Sequence, residues 1–270
     1  NQTVPGTLLV AQLRSGNINH GFHDQLWSLL AYGSRLNSPT TVALGNQDVL
    51  PWVRSFLEVA AGVYGWNLLF APYNNDWICA DNIFINGYIR DLHDYRYNEL
   101  PQIRAALRQF AWKRAGVVNS RETIVIYTRD DSPWRQIKNP EAIVDVLGGG
   151  YEVQIVRRMP EDFDDQVRLF ASAALFIAPN GGWSPNVLWL ADNACLIELH
   201  LYRLDSWIGS FGLSILFEES KFITLAGDYH NRTEPRLKRP ARKGGDDDFQ
   251  GQSLAPDIVK ALRRSRACRK

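Results

Sequence analysis

Short apolar runs alternate along this chain with longer segments whose apolar residues fall three and four positions apart. Continuous runs predict buried strands, and the wider spacing predicts helices packed on them. Thr7 to Leu13 reads as a first buried strand, with a turn at Ser15-Gly16-Asn17. Phe22, Leu26, Leu29 and Leu30 then mark one face of a helix beginning near His20. Thr40 to Leu44 is a second strand, and Val49, Leu50, Val53, Phe56, Leu57 and Ala60 have helical spacing. Pro51 suits the first turn of that helix, where its missing N–H has no partner to lose. Trp66 to Phe70 predicts a strand, and Trp77 to Ile85 is another apolar run. Tyr88 to Asn98 reads as a polar, aromatic loop over a cleft, and Leu100, Ile103, Leu107 and Phe110 predict a helix ending near Gly116.

The alternation becomes more regular beyond Arg121. Thr123 to Tyr127 is a strand, Arg129 to Asn139 a polar loop, Glu141 to Leu147 a helix and Tyr151 to Val156 a strand. Phe163, Val167, Phe170 and Ala174 share a helix face, with Glu161, Asp162 and Asp164 near its start, where the helix dipole favours carboxylates. Leu175 to Ala178 is a strand, a helix is expected from Pro185, and Cys195 to Leu199 is the next strand. Arg236 to Phe249 reads as a solvated low-complexity loop, and Ala255 to Arg264 as a short helix. The pattern predicts an α/β fold with parallel strands and helices on both faces. The expected organisation is residues 1–116, residues 117–230, and a loop with a C-terminal helix and tail over 231–270.

Candidate chemistry concentrates where strands end. Gly181 and Gly182 follow the strand at Leu175, and Ser184 and Pro185 are good N-cap and first-turn residues. A helix starting there would aim backbone N–H groups at the sheet edge where α/β proteins bind phosphorylated ligands. A glycine turn needed only for packing is the competing reading. Arg129 and Arg135 leave the neighbouring strand on the same edge, and guanidinium forks suit a diphosphate. Surface ion pairs with Asp130 and Asp131 are their alternative. His20 and Asp24 stand four apart, as a general base and the carboxylate that orients it would; capping by Asn19 beside a solvent-facing pair is the plainer account. Glu198, at the end of the next strand, could take ribose hydroxyls or pair with a nearby cation.

Composition narrows the class. The chain has 270 residues, 45% hydrophobic and 22% charged, with a formal net charge of +1. That balance gives no case for nucleic acid or a membrane surface as partner. No apolar run approaches the ~20 residues of a bilayer span. No signal peptide is visible and the chain begins at Asn1. Cys79, Cys195 and Cys268 show neither metal-ligand spacing nor a readable disulfide framework, and Cys195 reads as a small buried hydrophobe. Asn1-Gln2-Thr3 and Asn231-Arg232-Thr233 fit the N-glycosylation pattern. Nine tryptophans and ten tyrosines offer apolar faces that suit sugar rings as well as cores.

Together these segments resemble glycosyltransferase family 61. Its C-terminal hallmark, of the sense P-H-G-A-G-L-T-N followed by V-V-E-L, is matched at Pro179, Gly181, Asn186 and Glu198. An earlier hallmark, S-R-x-x-x-R-x-I-x-N-E, is matched at Arg129, Arg135, Ile137 and Asn139. The element N-x-x-H-x-x-x-D is matched at Asn17, His20 and Asp24. The hallmark histidine is Asn180 here, the second glycine Trp183 and the threonine Pro185.

The resemblance implies a GT-B-like architecture of two Rossmann-type halves with a cleft between them. It implies inverting transfer of a sugar from a nucleotide sugar, a UDP-sugar above all, to a hydroxyl of a glycan or glycoprotein acceptor. The expected donor-binding residues are Arg129, Arg135, Asn139, Asn180, Gly181, Gly182, Ser184, Asn186 and Glu198. Asp24 and His20 are the expected catalytic residues. No cofactor is expected beyond the donor as co-substrate; no residue is assigned as a metal ligand, and the sequence leaves the metal requirement open. A secretory location (Golgi or ER lumen) is expected if the source is eukaryotic, and a cytoplasmic one otherwise. The departures at Asn180 and Trp183 also raise a second function, a non-catalytic carbohydrate- or nucleotide-binding protein on the same scaffold.

Overall fold

The computed structural model describes residues 2–11, 26–36, 39–44, 49–70, 78–85, 100–118, 123–133, 135–147, 151–200, 222–226, 249–264 and 268. In chain order the first elements are β1 (Gln2–Thr3), β2 (Thr7–Ala11), α1 (Trp27–Gly33), β3 (Thr40–Leu44), α2 (Pro51–Tyr64), β4 (Asn67–Phe70), β5 (Ile78–Cys79), β6 (Asn82–Ile85) and α3 (Leu100–Arg114). They are followed by β7 (Thr123–Tyr127), β8 (Ile137–Lys138), α4 (Glu141–Leu147), β9 (Glu152–Val156), α5 (Phe163–Ser172), β10 (Ala173–Pro179), a 3-10 helix (Ser184–Trp189), β11 (Cys195–His200), β12 (Phe222–Ala226), β13 (Phe249–Gln250) and α6 (Gly251–Arg264). Among the described residues no helix is long and apolar enough to cross a membrane.

The chain divides into two compact units. The first comprises Asn1–Gly116, Asp162–Val167 and Gly182–Leu188; the second comprises Val117–Glu161, Arg168–Gly181 and Trp189–Lys270. The division therefore falls inside α5 and between Gly181 and Gly182.

The first unit holds a four-stranded sheet in the order β4-β3-β2-β6, with every pairing parallel. All five residues of β3 are buried, which is why its sequence is an unbroken apolar and threonine run. Helix α2 buries Trp52, Val53, Phe56, Leu57, Val59 and Ala60 along one stripe, with Pro51 in its first turn. The chain order reverses between β2 and β6. Residues 12–25, which come after β2 and include His20 and Asp24, lie outside the described residues.

The second unit is built on a five-stranded parallel sheet in the order β12-β11-β10-β7-β9. The chain leaves β7, returns through α4 to β9 on one side, then passes through α5 to β10 on the other. Right-handed crossovers in opposite directions place successive helices on opposite faces. Accordingly, Ile124, Ile126, Leu175, Ile177, Cys195, Ile197 and Leu199 form one face and pack with Ile143 of α4 and with Leu254, Ala255 and Ile258 of α6. Phe176 points to the opposite face and stacks on Phe170 of α5, with ring centroids 4.3 Å apart. The strand order reverses between β7 and β10, leaving a crevice outside their carboxyl ends.

Four sequence expectations change. Ala174, expected on the helix face with Phe170, is the second residue of β10. The helix from Pro185 is a six-residue 3-10 helix, in which Asn186 N–H donates to the Trp183 carbonyl at 2.9 Å. The segment is too short for an α-helix before the turn at Asp192-Asn193, and a 3-10 helix of this length provides little of the dipole expected there. Cys195 is not a lone hydrophobe: it is disulfide-bonded to Cys268, 73 residues on. Phe249 leaves the low-complexity loop to pair with Ile137 in a two-stranded parallel ladder, so the Arg129–Asn139 loop contains a short strand.

Candidate functional site

The crevice of the second unit is lined by the segments that leave β7 and β10. After β10 the chain continues into Asn180 and Gly181, and the Asn180 N–H donates to the Leu199 carbonyl of β11 at 2.9 Å. After β7 come Thr128 and the loop carrying Arg129 and Arg135. Both arginines turn onto Asn180. Arg129 Nη1 donates to its backbone carbonyl at 2.8 Å, and Arg135 Nη1 to its side-chain Oδ1 at 2.9 Å. The carboxamide in turn donates through Nδ2 to Glu198 Oε1 at 2.7 Å. The other Glu198 oxygen, Oε2, meets His200 Nε2 at 2.9 Å.

Gly181 permits this convergence. A Cβ on it would stand 3.0 Å from both Cζ and Nη1 of Arg129, close enough that the guanidinium would have to give by a few tenths of an ångström. Burial lowers the Arg129 pKa from its usual value, opposed by the neighbouring Tyr127 and Asp131. A guanidinium partly stripped of water is a stronger partner for an anion than one in bulk solvent.

The acids of the loop are engaged elsewhere. Tyr127 Oη donates to Asp131 Oδ1 at 2.7 Å, and the Met159 N–H donates to Asp131 Oδ2 at 3.1 Å. Burial first, then the hydrogen bond to Asp131, raises the Tyr127 pKa far above its usual value, so the phenol stays a neutral donor. Asp130 accepts from Thr128 Oγ1 at 2.8 Å and pairs with Arg157 at 3.2 Å. The arginine–aspartate pairing considered from sequence is thus formed with Arg157, while Arg129 and Arg135 both bond to Asn180.

The loop backbone is strained where the candidate residues stand. Arg129, Arg135 and Asn139 have φ of 66°, 58° and 51°, and they are the non-glycine residues with positive φ among the described residues. Each such conformation costs on the order of 1–3 kcal/mol and persists only where the surroundings enforce it. At Asn139 part of that enforcement is visible: a Cβ on Gly251, the first residue of α6, would come within 2.1 Å of the Asn139 carbonyl oxygen.

The structure thus brings Arg129, Arg135, Asn180, Gly181 and Glu198 into one polar network and places Asn139 in the same loop, outside that network. Gly182, Ser184 and Asn186 belong to the first unit. Ser184 and Asn186 are each 1% exposed. Asn186 Oδ1 accepts from Trp52 Nε1, and its Nδ2 donates to Gln166 Oε1, both at 2.9 Å. That carboxamide serves the packing of the first unit. Glu198, 2% exposed, presents both oxygens to protein partners. His200 enters the site without a motif to announce it; the one sequence signal was its position two residues after Glu198 on the same strand. Among the described residues no three His, Cys, Asp or Glu side chains gather as metal ligands.

Comparison with protein families turns this arrangement into an assignment. The family model described as Glycosyltransferase 61 matches residues 18–197, about two thirds of the chain. The chain belongs to glycosyltransferase family 61. It is therefore a glycosyltransferase, acting between a sugar donor and an acceptor. The matched span covers Arg129, Arg135, Asn180 and Gly181 and ends one residue before Glu198. A comparison with curated protein sequences found no match.

Proposed function

We propose that this glycosyltransferase moves a hexosyl or pentosyl group from a nucleotide sugar, a UDP-sugar, to a hydroxyl of a glycan or glycoprotein, with inversion at the anomeric carbon. The observation that carries this reading is the convergence of Arg129 and Arg135 on Asn180 at the point where the second sheet reverses its strand order. Parallel α/β sheets bind phosphorylated ligands in that crevice. In the reaction the acceptor oxygen bonds to the anomeric carbon, and the bond from that carbon to the diphosphate oxygen breaks. Negative charge grows on the leaving diphosphate, and preorganised guanidinium groups aimed there stabilise the transition state. The acceptor proton passes to a base, and Asp24 with His20 is the pair assigned that work. The two parallel-sheet units would form a GT-B pair, with the second holding the donor and the first the acceptor.

A secretory lumen is the proposed location. The Cys195–Cys268 disulfide supports it, because such bonds persist in oxidising compartments and are rare in the cytosol. The glycosylation triplets at Asn1 and Asn231 agree with it.

The test is Arg135→Ala, assayed for transfer and hydrolysis across a panel of UDP- and GDP-sugars. Loss of one transition-state donor predicts a fall in kcat of roughly 100-fold or more, with the circular dichroism spectrum unchanged. Unchanged turnover removes Arg135 from the donor site. Donor binding by the wild type without turnover of any sugar supports the binding-protein reading instead.

A further inference from the structure

The polar chain that begins at Arg135 does not stop at Asn180; it runs inward through Glu198 to His200. The successive distances are 2.9, 2.7 and 2.9 Å. Its inner end is buried, with Glu198 2% and His200 5% exposed. His200 lies beyond residue 197, where the family match ends.

The directions of these bonds are fixed by chemistry. A carboxylate only accepts, so each Glu198 oxygen needs a donor. Asn180 Nδ2 supplies one and His200 Nε2 the other. Because Nδ2 is drawn to Glu198, Oδ1 is left facing Arg135. A flipped carboxamide would set its NH₂ against the guanidinium, donor against donor, and its oxygen against the carboxylate. The strand supplies the geometry: residues two apart on β11 point to the same face, so His200 reaches the carboxylate of Glu198 without a loop to place it. The bond from the Asn180 N–H to the Leu199 carbonyl ties the Asn180 backbone to β11 between those two side chains.

We propose that His200 is a positioning residue of the donor site: it fixes the Glu198 carboxylate, which orients the Asn180 carboxamide, which sets the Arg135 guanidinium against the diphosphate. The inference rests on the donor-site reading above and extends it to a residue that never touches the donor. Without the ring N–H, the inner oxygen of Glu198 is buried and unsatisfied. The carboxylate then turns toward another donor, and the inner end of the chain loses its fixed point. That movement releases the Asn180 amide and with it the direction of Arg135.

The experiment compares His200→Leu, which keeps apolar volume but has no donor, with His200→Gln, whose amide N–H can stand near the place of Nε2. Crystal structures of both are paired with calorimetric titration of uridine diphosphate, each variant being made also with Arg135→Ala. In His200→Leu, Arg135 is expected to leave Asn180 Oδ1 and affinity to fall about tenfold, as for a lost charge-assisted hydrogen bond. His200→Gln should restore both. In the Arg135→Ala background the leucine substitution should cost no further affinity, a coupling that a general loss of stability would not produce. Should His200→Leu fail to fold, His200→Asn replaces it, its amide being too short to reach the carboxylate. Arg135 remaining on Asn180 in the donor-less variant, or an undiminished loss in the Arg135→Ala background, overturns the inference. If the wild type binds no uridine diphosphate, the donor reading falls, and the variant structures still decide whether His200 holds Arg135 in place.

Discussion

Arg129, Arg135 and Asn139 hold φ values that side-chain-bearing residues rarely adopt, and they share one loop. Relief of that strain is measurable at Asn139, whose side chain lies outside the Arg–Asn–Glu network. Asn139→Gly should raise stability or leave it unchanged, whereas Asn139→Ala should lower it by about 1 kcal/mol, because alanine tolerates positive φ less well than asparagine does. Urea denaturation midpoints of the two variants provide the check, and equal midpoints would show that the φ value carries no cost. The types and spacing of these residues were legible in the sequence, since a polar loop leaving an apolar strand stands out. Their backbone strain was not, because glycine is the usual marker of positive φ and none of the three is glycine. The role of Asn180 was also hidden: a carboxamide reveals its partners only when two strands and a loop have met.

Several elements emerged directly from pattern. β3 and β7 have the bounds that their apolar runs predict, because strands covered on both faces leave few polar positions to blur the signal, and α4 has the bounds read from its sequence. Shorter elements escaped. β8 and β13 are two residues each and exist only because they pair with one another across the second unit. The 3-10 helix was read as α-helical because capping residues announce a start and say little about the hydrogen-bond step beyond it. Its Asn186 gives the prediction at this scale. Asn186→Ala removes an acceptor from Trp52 Nε1 and a donor from Gln166 Oε1 in a buried setting. Losing two buried side-chain hydrogen bonds costs roughly 1–3 kcal/mol, so a thermal midpoint several degrees lower is expected by calorimetry. A midpoint within a degree of wild type would show that these two bonds carry no net stability.

At the scale of the whole molecule, one covalent bond and one discontinuity matter most. The Cys195–Cys268 disulfide closes a loop spanning 73 positions, from the first residue of β11 to beyond α6. Chain entropy gives such a closure about 4 kcal/mol of stabilisation. Thermal denaturation with and without dithiothreitol should therefore differ by several degrees, and Cys268→Ser should reproduce the reduced value. An unaltered midpoint on reduction would remove this bond from the stability of the fold. The sequence offered no means of pairing these cysteines, because three residues so far apart carry no spacing signal.

The discontinuity lies in the first unit, which borrows residues 162–167 and 182–188 from beyond the second unit's opening strands. Trp52 waits for Asn186, 134 positions later. During vectorial synthesis at ~5–20 residues per second, the interval between Gly116 and Leu188 is roughly 4–14 s. Over that time β7, β9 and β10 emerge while the earlier sheet still lacks its last buried partners. Release of a nascent chain arrested at Gly116 should accordingly yield a protease-sensitive product, however many of the first unit's strands it already contains.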